Sequence, residues 1–169
     1  MSTNLYQASA PVFKQMLLAL SDVLSKAESH VEAKKVDAAV LLQTRLALDM
    51  FPLVRQVQIA CDFAKSVTAR LAGVEVPAYD DNEQNFAELK ARIAKTVALL
   101  DGMTEAQFAG SEGLEIVLRP GTPKERKLSG KAYLLAYGLP QFFFHVTTAY
   151  NLLRHVGVEI GKKDFMGTY

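Results

Sequence analysis

Cysteine, net charge and long apolar runs are all scarce in this chain of 169 residues, and each scarcity excludes a class of protein. The one cysteine, Cys61, cannot close a disulfide within the chain. Acidic and basic residues number 18 and 19, which leaves no broad electrostatic surface for nucleic acid or an anionic membrane. No apolar stretch approaches the roughly 18 residues of a membrane span, and the N-terminus lacks a secretory pattern. We therefore expect a cytoplasmic protein without nucleic-acid or membrane partners.

The motifs of several enzyme classes are missing as well. There is no phosphate-binding glycine loop, no dinucleotide fingerprint, no nucleophile elbow and no cysteine-pair zinc pattern. Cys61 lies in a helical pattern among Ile59, Ala60 and Phe63, which is typical of a small buried apolar residue rather than a reactive thiol. The familiar routes to catalysis therefore lose support.

Helical periodicity is what the sequence contains in abundance. Half of the residues are apolar, and the length predicts one domain, residues 1–169, with its own core. Pro52 removes a helical donor, so it predicts a kink or two abutting helices within the second pattern. Apolar residues at steps of three and four, with capping residues and glycine stops, predict four long helices: about Ser9 to His30, Asp37 to Gly73, Asn82 to Leu100 and Pro140 to Gly157.

The stretch from Leu114 to Ser129 breaks this helical rhythm. Apolar and polar residues alternate there, and Pro120 with Gly121 suits the centre of a type II turn. Ser129 is a cap for a short turn that ends at Gly138. The pattern predicts an all-α fold, a four-helix bundle with a small β-hairpin between helices 3 and 4. In the third helix, we expect the basic residues to face water, namely Lys90, Arg92 and Lys95.

The three histidines are the first candidates for chemistry. His30 and His155 lie at predicted helix ends, where positive charge complements the helix dipole, so we interpret both as solvated end groups. His145 follows three phenylalanines and shares a polar strip with Gln141 and Thr148. His155 lies about 80° around the helix from this strip, too far to share a metal easily with His145. A core histidine bonded to a neighbour and a functional histidine are both open readings of His145.

Two segments, RLALDMFPLVRQVQIACDFAK and FFFHVTTAYNLLRHVGVEIGKKDFMG, carry a resemblance to a known family. With the order of the elements, they resemble a bacterial family of unknown function in the DinB/YfiT-like superfamily. The resemblance covers essentially the whole chain. It implies a four-helix bundle, often dimeric, in which many members hold a divalent metal with three histidines. Some branches are thiol-dependent transferases or hydrolases, and many have no known activity.

Carried over to this chain, the resemblance implies a degenerate three-histidine site. His145 falls on the second histidine of the fourth helix, Gln141 on the first, and Asp49 near the ligand of the second helix. One imidazole, one amide and one carboxylate would replace three imidazoles, and this ligand set should bind a divalent metal less tightly. Asp49 could instead pair with Arg45, or bond to His145 across the bundle without a metal.

Two hypotheses of different class follow. In the first, the protein has a buried polar pocket at His145 and binds a small ligand or a second copy of itself as a homodimer, with Arg45, Gln56, Thr148 and Tyr150 as further lining candidates. In the second, Asp49 and His145 hold Zn, Ni, Mn or Fe in a divalent-metal-dependent hydrolase or thiol transferase. The phenylalanine-rich last helix favours the middle of the bundle or a subunit interface. The GKKDF tail is expected either to be a solvated terminus or to fold back over the end of the bundle and close the pocket. Whether the protein is an enzyme stays open at this point.

Overall fold

The computed structural model describes residues 4–169. Four long helices form a bundle, as the sequence predicts, with short helices and one antiparallel hairpin between them. The hairpin lies between the third and fourth long helices, where it is expected, and Ile116 pairs with Leu128. In chain order the elements are α1 (Ala10–Lys34), α2 (Ala38–Leu42), α3 (Leu53–Leu71), α4 (Phe86–Asp101), β1 (Glu115–Leu118), β2 (Arg126–Ser129), α5 (Gly130–Ala132), α6 (Leu139–His155) and α7 (Lys162–Met166).

Local capping explains where most of these helices begin and end. The Asp37 carboxylate accepts from the backbone N–H of Ala39 at 2.9 Å and starts α2, as predicted. Asn85 does the same for α4, which therefore begins after Asn85 rather than at Asn82. Gly73 and Gly157 follow α3 and α6 with φ of 67° and 90°, the left-handed conformation expected of glycine stops.

The second predicted helix is interrupted more widely than a kink. α2 ends at Leu42, residues 43–52 are not helical, and α3 begins at Leu53 directly after Pro52. Proline has no N–H to donate and is therefore well suited to a helix start. The Leu53 N–H instead bonds to the Thr44 carbonyl at 3.0 Å, which closes the intervening segment into a loop.

The final helix is continuous rather than broken at Gly138. The Ser129 hydroxyl caps its start by accepting from Ala132 N at 3.2 Å, and a π-helical turn over Tyr133–Gly138 joins α5 to α6. A Cβ at Gly138 would lie 2.7 Å from Val67 Cγ2. Glycine therefore serves here for close approach of the final helix to α3, and not as a helix stop.

The core lies where α3 packs against α6 and α1 packs against α4. Phe13 and Phe142 meet edge to face there, with ring centroids 4.7 Å apart. Cys61 is fully buried, and this burial raises the pKa of its thiol to about 12, so it has no thiolate at neutral pH. Within residues 4–169, no helix has the length and apolar character needed to cross a bilayer.

The C-terminal tail folds back along α1. Lys26 Nζ lies 2.6 Å from Asp164 Oδ1, and the Gln15 amide donates to the Met166 carbonyl at 2.9 Å. Phe165 packs edge to face on Tyr150 at 5.5 Å between ring centroids. The expected return of the tail is therefore present, and it covers the α1 side of the bundle.

A buried ionic cluster ties α3 and α4 to the connection between them, residues 74–85, which we call the strap. Arg92 was predicted to face water, and this is wrong, because its side chain is only 2% exposed. Its guanidinium lies 3.0 Å from carboxylate oxygens of Asp62 and Asp81 and 2.9 Å from Glu83. Burial opposes ionisation of Glu83, but hydrogen bonds from Arg92 and Gln58 outweigh it and lower its pKa.

Replacing this guanidinium is expected to cost far more stability than replacing a surface cation. Arg92→Met leaves the nearly buried Glu83 carboxylate without its main partner, so we expect a loss of about 3 kcal/mol in the free energy of unfolding. Urea unfolding followed by circular dichroism measures it. The control is Lys14→Met, which removes an exposed ion pair with Asp101 and should cost less than about 1 kcal/mol. Equal losses in the two variants would contradict a structural role of the buried cluster.

Candidate functional site

His145 lies on the face of α6 that packs against α3. Its side chain is largely buried, and its Nδ1 atom lies 2.7 Å from Oε1 of Gln56 on α3. The Phe63 ring stacks on the imidazole, with centroids 6.0 Å apart and planes 16° from parallel. Phe144 meets it edge-on at 5.2 Å. Protein thus surrounds the imidazole on its faces and fixes its orientation.

The partners of Gln56 determine which nitrogen of His145 carries the proton. The Gln56 amide nitrogen donates to the Phe51 carbonyl at 3.0 Å, and a carbonyl can only accept. Gln56 Oε1 must therefore face the imidazole, so Nδ1 is the nitrogen that donates. The neutral ring then carries its lone pair on Nε2. That atom has no hydrogen-bond partner in residues 4–169. It is also not fully buried, because Arg92 Nε is the only side-chain nitrogen or oxygen atom of this range that is both buried and without a partner.

The surroundings of His145 favour this neutral form. Burial, with a smaller contribution from the nearby Arg55 cation, lowers the pKa of His145 to about 4. Arg55 is itself held by Asp81 of the strap and by Gln58 Oε1, the latter at 3.1 Å. The imidazole is therefore uncharged at neutral pH and offers Nε2 as a hydrogen-bond acceptor or metal ligand.

The predicted ligand Asp49 belongs to a loop and not to a helix. It lies exposed in the loop of residues 43–52, and no hydrogen bond or ion pair within residues 4–169 joins it to either His145 or Arg45. Arg45 is exposed as well and donates to the Met50 carbonyl. The resemblance implied a position for Asp49 near a ligand of the second helix, but residues 43–52 are not helical in this structure.

The other predicted residues lie in different surroundings. Gln56 contacts His145 directly, whereas Thr148 donates to the Phe144 carbonyl at 2.7 Å within its own helix. Gln141 lines a cleft beneath the hairpin, and Tyr150 packs against the tail. Of the candidates, Gln56 alone hydrogen-bonds to the His145 side chain within residues 4–169.

The donor groups around His145 do not form a set of metal ligands. Across residues 4–169, no three side chains of histidine, cysteine, aspartate or glutamate lie close enough together to hold one ion. Gln56 Oε1 already accepts from Nδ1, which leaves the Nε2 lone pair as the one strong donor at this point. A three-ligand site would need further donors, so the predicted metal site stays a prediction.

Phe63, which stacks on His145, was missed by reasoning from the sequence. Phe63 follows Gln56 by seven residues, two helical turns, so both project toward α6 from one face of α3. This spacing could have predicted the contact of Phe63 with α6. No sequence pattern could have predicted the contact of Phe51, because it is made by a backbone carbonyl in a loop.

This helical bundle, with a hairpin before its last helix and a polar pair between α3 and α6, defines a DinB-like class of protein. The chain matches the family described as Domain of unknown function (DUF1993) over residues 5–166, and it belongs to that family. It is similar to the crystal structure of a DinB family member protein from Shewanella denitrificans, with 45% sequence identity and a TM-score of 0.92. The likeness covers 98% of this chain and 93% of the other. No curated protein matches. The predicted family and fold are thus confirmed.

The neutral His145 predicts a specific pH dependence of stability. The unfolded imidazole takes up its proton near pH 6.5 and the folded one near pH 4, so the unfolded state binds more protons between these values. The free energy of unfolding should therefore fall as pH decreases from 6.5 to 4, by on the order of 3 kcal/mol from this group. Urea unfolding at several pH values, compared with His145→Gln, isolates this contribution.

The exposed His155 provides the control for this measurement. His155→Gln should leave the difference between pH 7 and pH 5 as in the wild type. A histidine titration by NMR should show the His145 ring neutral at pH 6, with the proton on Nδ1. A His145 pKa near 6.5 would contradict the assignment.

Proposed function

We propose that this protein binds a small molecule at His145, with Nε2 accepting a hydrogen bond from the ligand. The observation that carries the proposal is the chain from the Phe51 carbonyl through Gln56 to Nδ1, which leaves the Nε2 lone pair free. The stacked Phe63 and the Phe144 ring, which is 54% exposed, supply apolar surface for the rest of the ligand. A neutral acceptor beside aromatic rings favours a protic ligand with an apolar body.

The alternative is a divalent-metal-dependent hydrolase or thiol transferase. A neutral imidazole whose Nδ1–H is held by a second residue is the form in which histidine binds metals, and this observation favours the alternative. Because Asp49 lies in the exposed loop of residues 43–52, that loop would supply the carboxylate ligand beside Nε2. Water or a thiol would then complete the coordination of the Zn, Ni, Mn or Fe ion.

Titrations that observe the His145 ring directly separate these two functions. We expect a small-molecule ligand, found by thermal-shift screening, to perturb the Nε2 resonance of the wild type and to lose its stabilising effect in His145→Gln. At a hundred times its dissociation constant, such a ligand should stabilise the fold by about 2.7 kcal/mol. His155→Gln is the matched control and should respond like the wild type.

Metal analysis of the purified protein tests the alternative function, the metal-dependent enzyme. Stoichiometric Zn, Ni, Mn or Fe that depends on His145 and perturbs Nε2 would favour the metal enzyme. If neither small molecules nor these ions perturb Nε2 in the wild type, both functions assigned to His145 are wrong.

We also propose that two copies associate through the apolar surface beside His145, as the resemblance implies. Leu48, Phe51 and Phe144 are 99%, 55% and 54% exposed, unusually high values for such large apolar side chains. The Phe51 carbonyl accepts from Gln56 and the Phe144 ring meets His145 edge-on, so both residues adjoin the Gln56–His145 pair. We place this dimer in the cytoplasm, where reducing conditions suit a chain whose one thiol is buried and free.

Sedimentation at micromolar concentration tests the dimer. We expect the wild type to sediment as a dimer and Phe144→Asp as a monomer, because a buried charge at the centre of an interface is costly. Leu18→Asp is the control, since Leu18 is a similarly exposed apolar residue, at 46%, on α1. A wild-type monomer would overturn the proposal, as would equal dissociation of both variants.

A further inference from the structure

A cleft of about 520 Å³ lies between the hairpin turn and the start of the final helix. The hairpin contributes three basic side chains to its lining, and the helical side contributes Tyr137 and Gln141. The basic residues are Arg119, Lys124 and Arg126. A volume of this size accommodates a small organic molecule.

The lining of this cleft carries a net positive charge, because it contains three cations and one carboxylate. None of the three cations forms a side-chain hydrogen bond or an ion pair with another residue of the described range 4–169. Basic residues nearby differ in this respect, since Lys127 pairs with Glu115 at 3.5 Å and Lys131 with Glu112 at 3.1 Å. The one carboxylate in the lining, Glu125, is occupied by the Gly121 N–H at 2.7 Å.

The hairpin backbone places the two arginines at the mouth of the cleft. Arg126 pairs with Leu118 across the strands, so both side chains project from the same face of the hairpin. Arg119 follows with a left-handed φ of 51°, and the Thr122 N–H bonds to its carbonyl at 3.3 Å across Pro120 and Gly121. The type II turn predicted from the sequence is thus present and orders this end of the cleft.

The opposite wall of the cleft contains two polar groups without a hydrogen-bond partner in residues 4–169. Tyr137 belongs to the π-helical turn, and Gln141 follows four residues later on α6. Neither the Tyr137 hydroxyl nor the Gln141 amide makes a hydrogen bond within residues 4–169. π-helical turns often occur at functional sites, because they redirect side chains that a regular helix would place elsewhere.

We propose that this cleft binds a small molecule through its phosphate or carboxylate group. The guanidinium groups of Arg119 and Arg126 and the Lys124 ammonium contact the anion, and Tyr137 and Gln141 donate hydrogen bonds from the helical side. Guanidinium groups suit both anions because each presents two oxygen acceptors to a planar pair of donors. The inference does not depend on ligand binding at His145.

Calorimetric titration with pyrophosphate and citrate at low salt tests the anion site and distinguishes the two anion chemistries. We expect saturable binding of at least one probe to the wild type and at least tenfold weaker binding to the double variant Arg119→Gln/Arg126→Gln. Both arginines are exposed and unpaired, so this variant should keep its wild-type unfolding temperature. The double variant Lys162→Gln/Lys163→Gln removes the same charge from α7 and should retain wild-type affinity.

Two further variants separate this site from others. His145→Gln should leave the affinity for the probe unchanged, so a failure at His145 and a failure here are distinguishable. Glu125→Gln keeps an oxygen acceptor for Gly121 but removes the negative charge, so it should tighten binding severalfold. Absence of saturable binding by both probes would overturn the proposal, as would an equal loss in the α7 control.

Discussion

The buried guanidinium of Arg92 constrains the relative positions of α3, α4 and the strap. A cation taken out of water is tolerated only when anions surround it, and here Asp62 comes from α3 while Asp81 and Glu83 come from the strap. Moving the strap away from α4 would take Asp81 and Glu83 from a guanidinium that is only 2% exposed. Asp81 also binds Arg55, which directly precedes Gln56 on α3. The cluster therefore extends to the residues around His145.

The same arrangement explains why His145 is uncharged. A histidine between aromatic rings loses hydration, and a fixed cation nearby disfavours a second positive charge. Neither effect by itself selects a tautomer. The selection comes from Phe51, whose carbonyl turns the Gln56 amide so that its oxygen faces Nδ1. A loop backbone thus determines which imidazole nitrogen is available to a ligand, and this makes the loop of residues 43–52 part of the site.

The sequence predicted most of the fold because periodicity and capping are local properties. Four long helices, the hairpin turn and the stops at Gly73 and Gly157 could all be read from neighbouring residues. Arg92 was misplaced because its partners come from another helix and from a strap, which no single helix pattern reveals. Asp49 was placed by the family resemblance, and its segment is a loop in this structure. Gln56 was a candidate because it follows Asp49 by seven residues, and it is the one of the two that lies on a helix.

Two polar side chains one turn apart on the final helix face different surroundings. Gln141 and His145 are four residues apart, about 6 Å between Cβ atoms, yet Gln141 lines the hairpin cleft while His145 faces α3. Tyr137 packs on Phe63 at 5.8 Å, and Phe63 stacks on His145, so an aromatic layer lies between the two positions. Gly138, which follows Tyr137, brings the final helix close to α3, since a Cβ there would lie 2.7 Å from Val67 Cγ2. The hairpin, the π-helical turn and α3 therefore position two polar sites that share one aromatic wall.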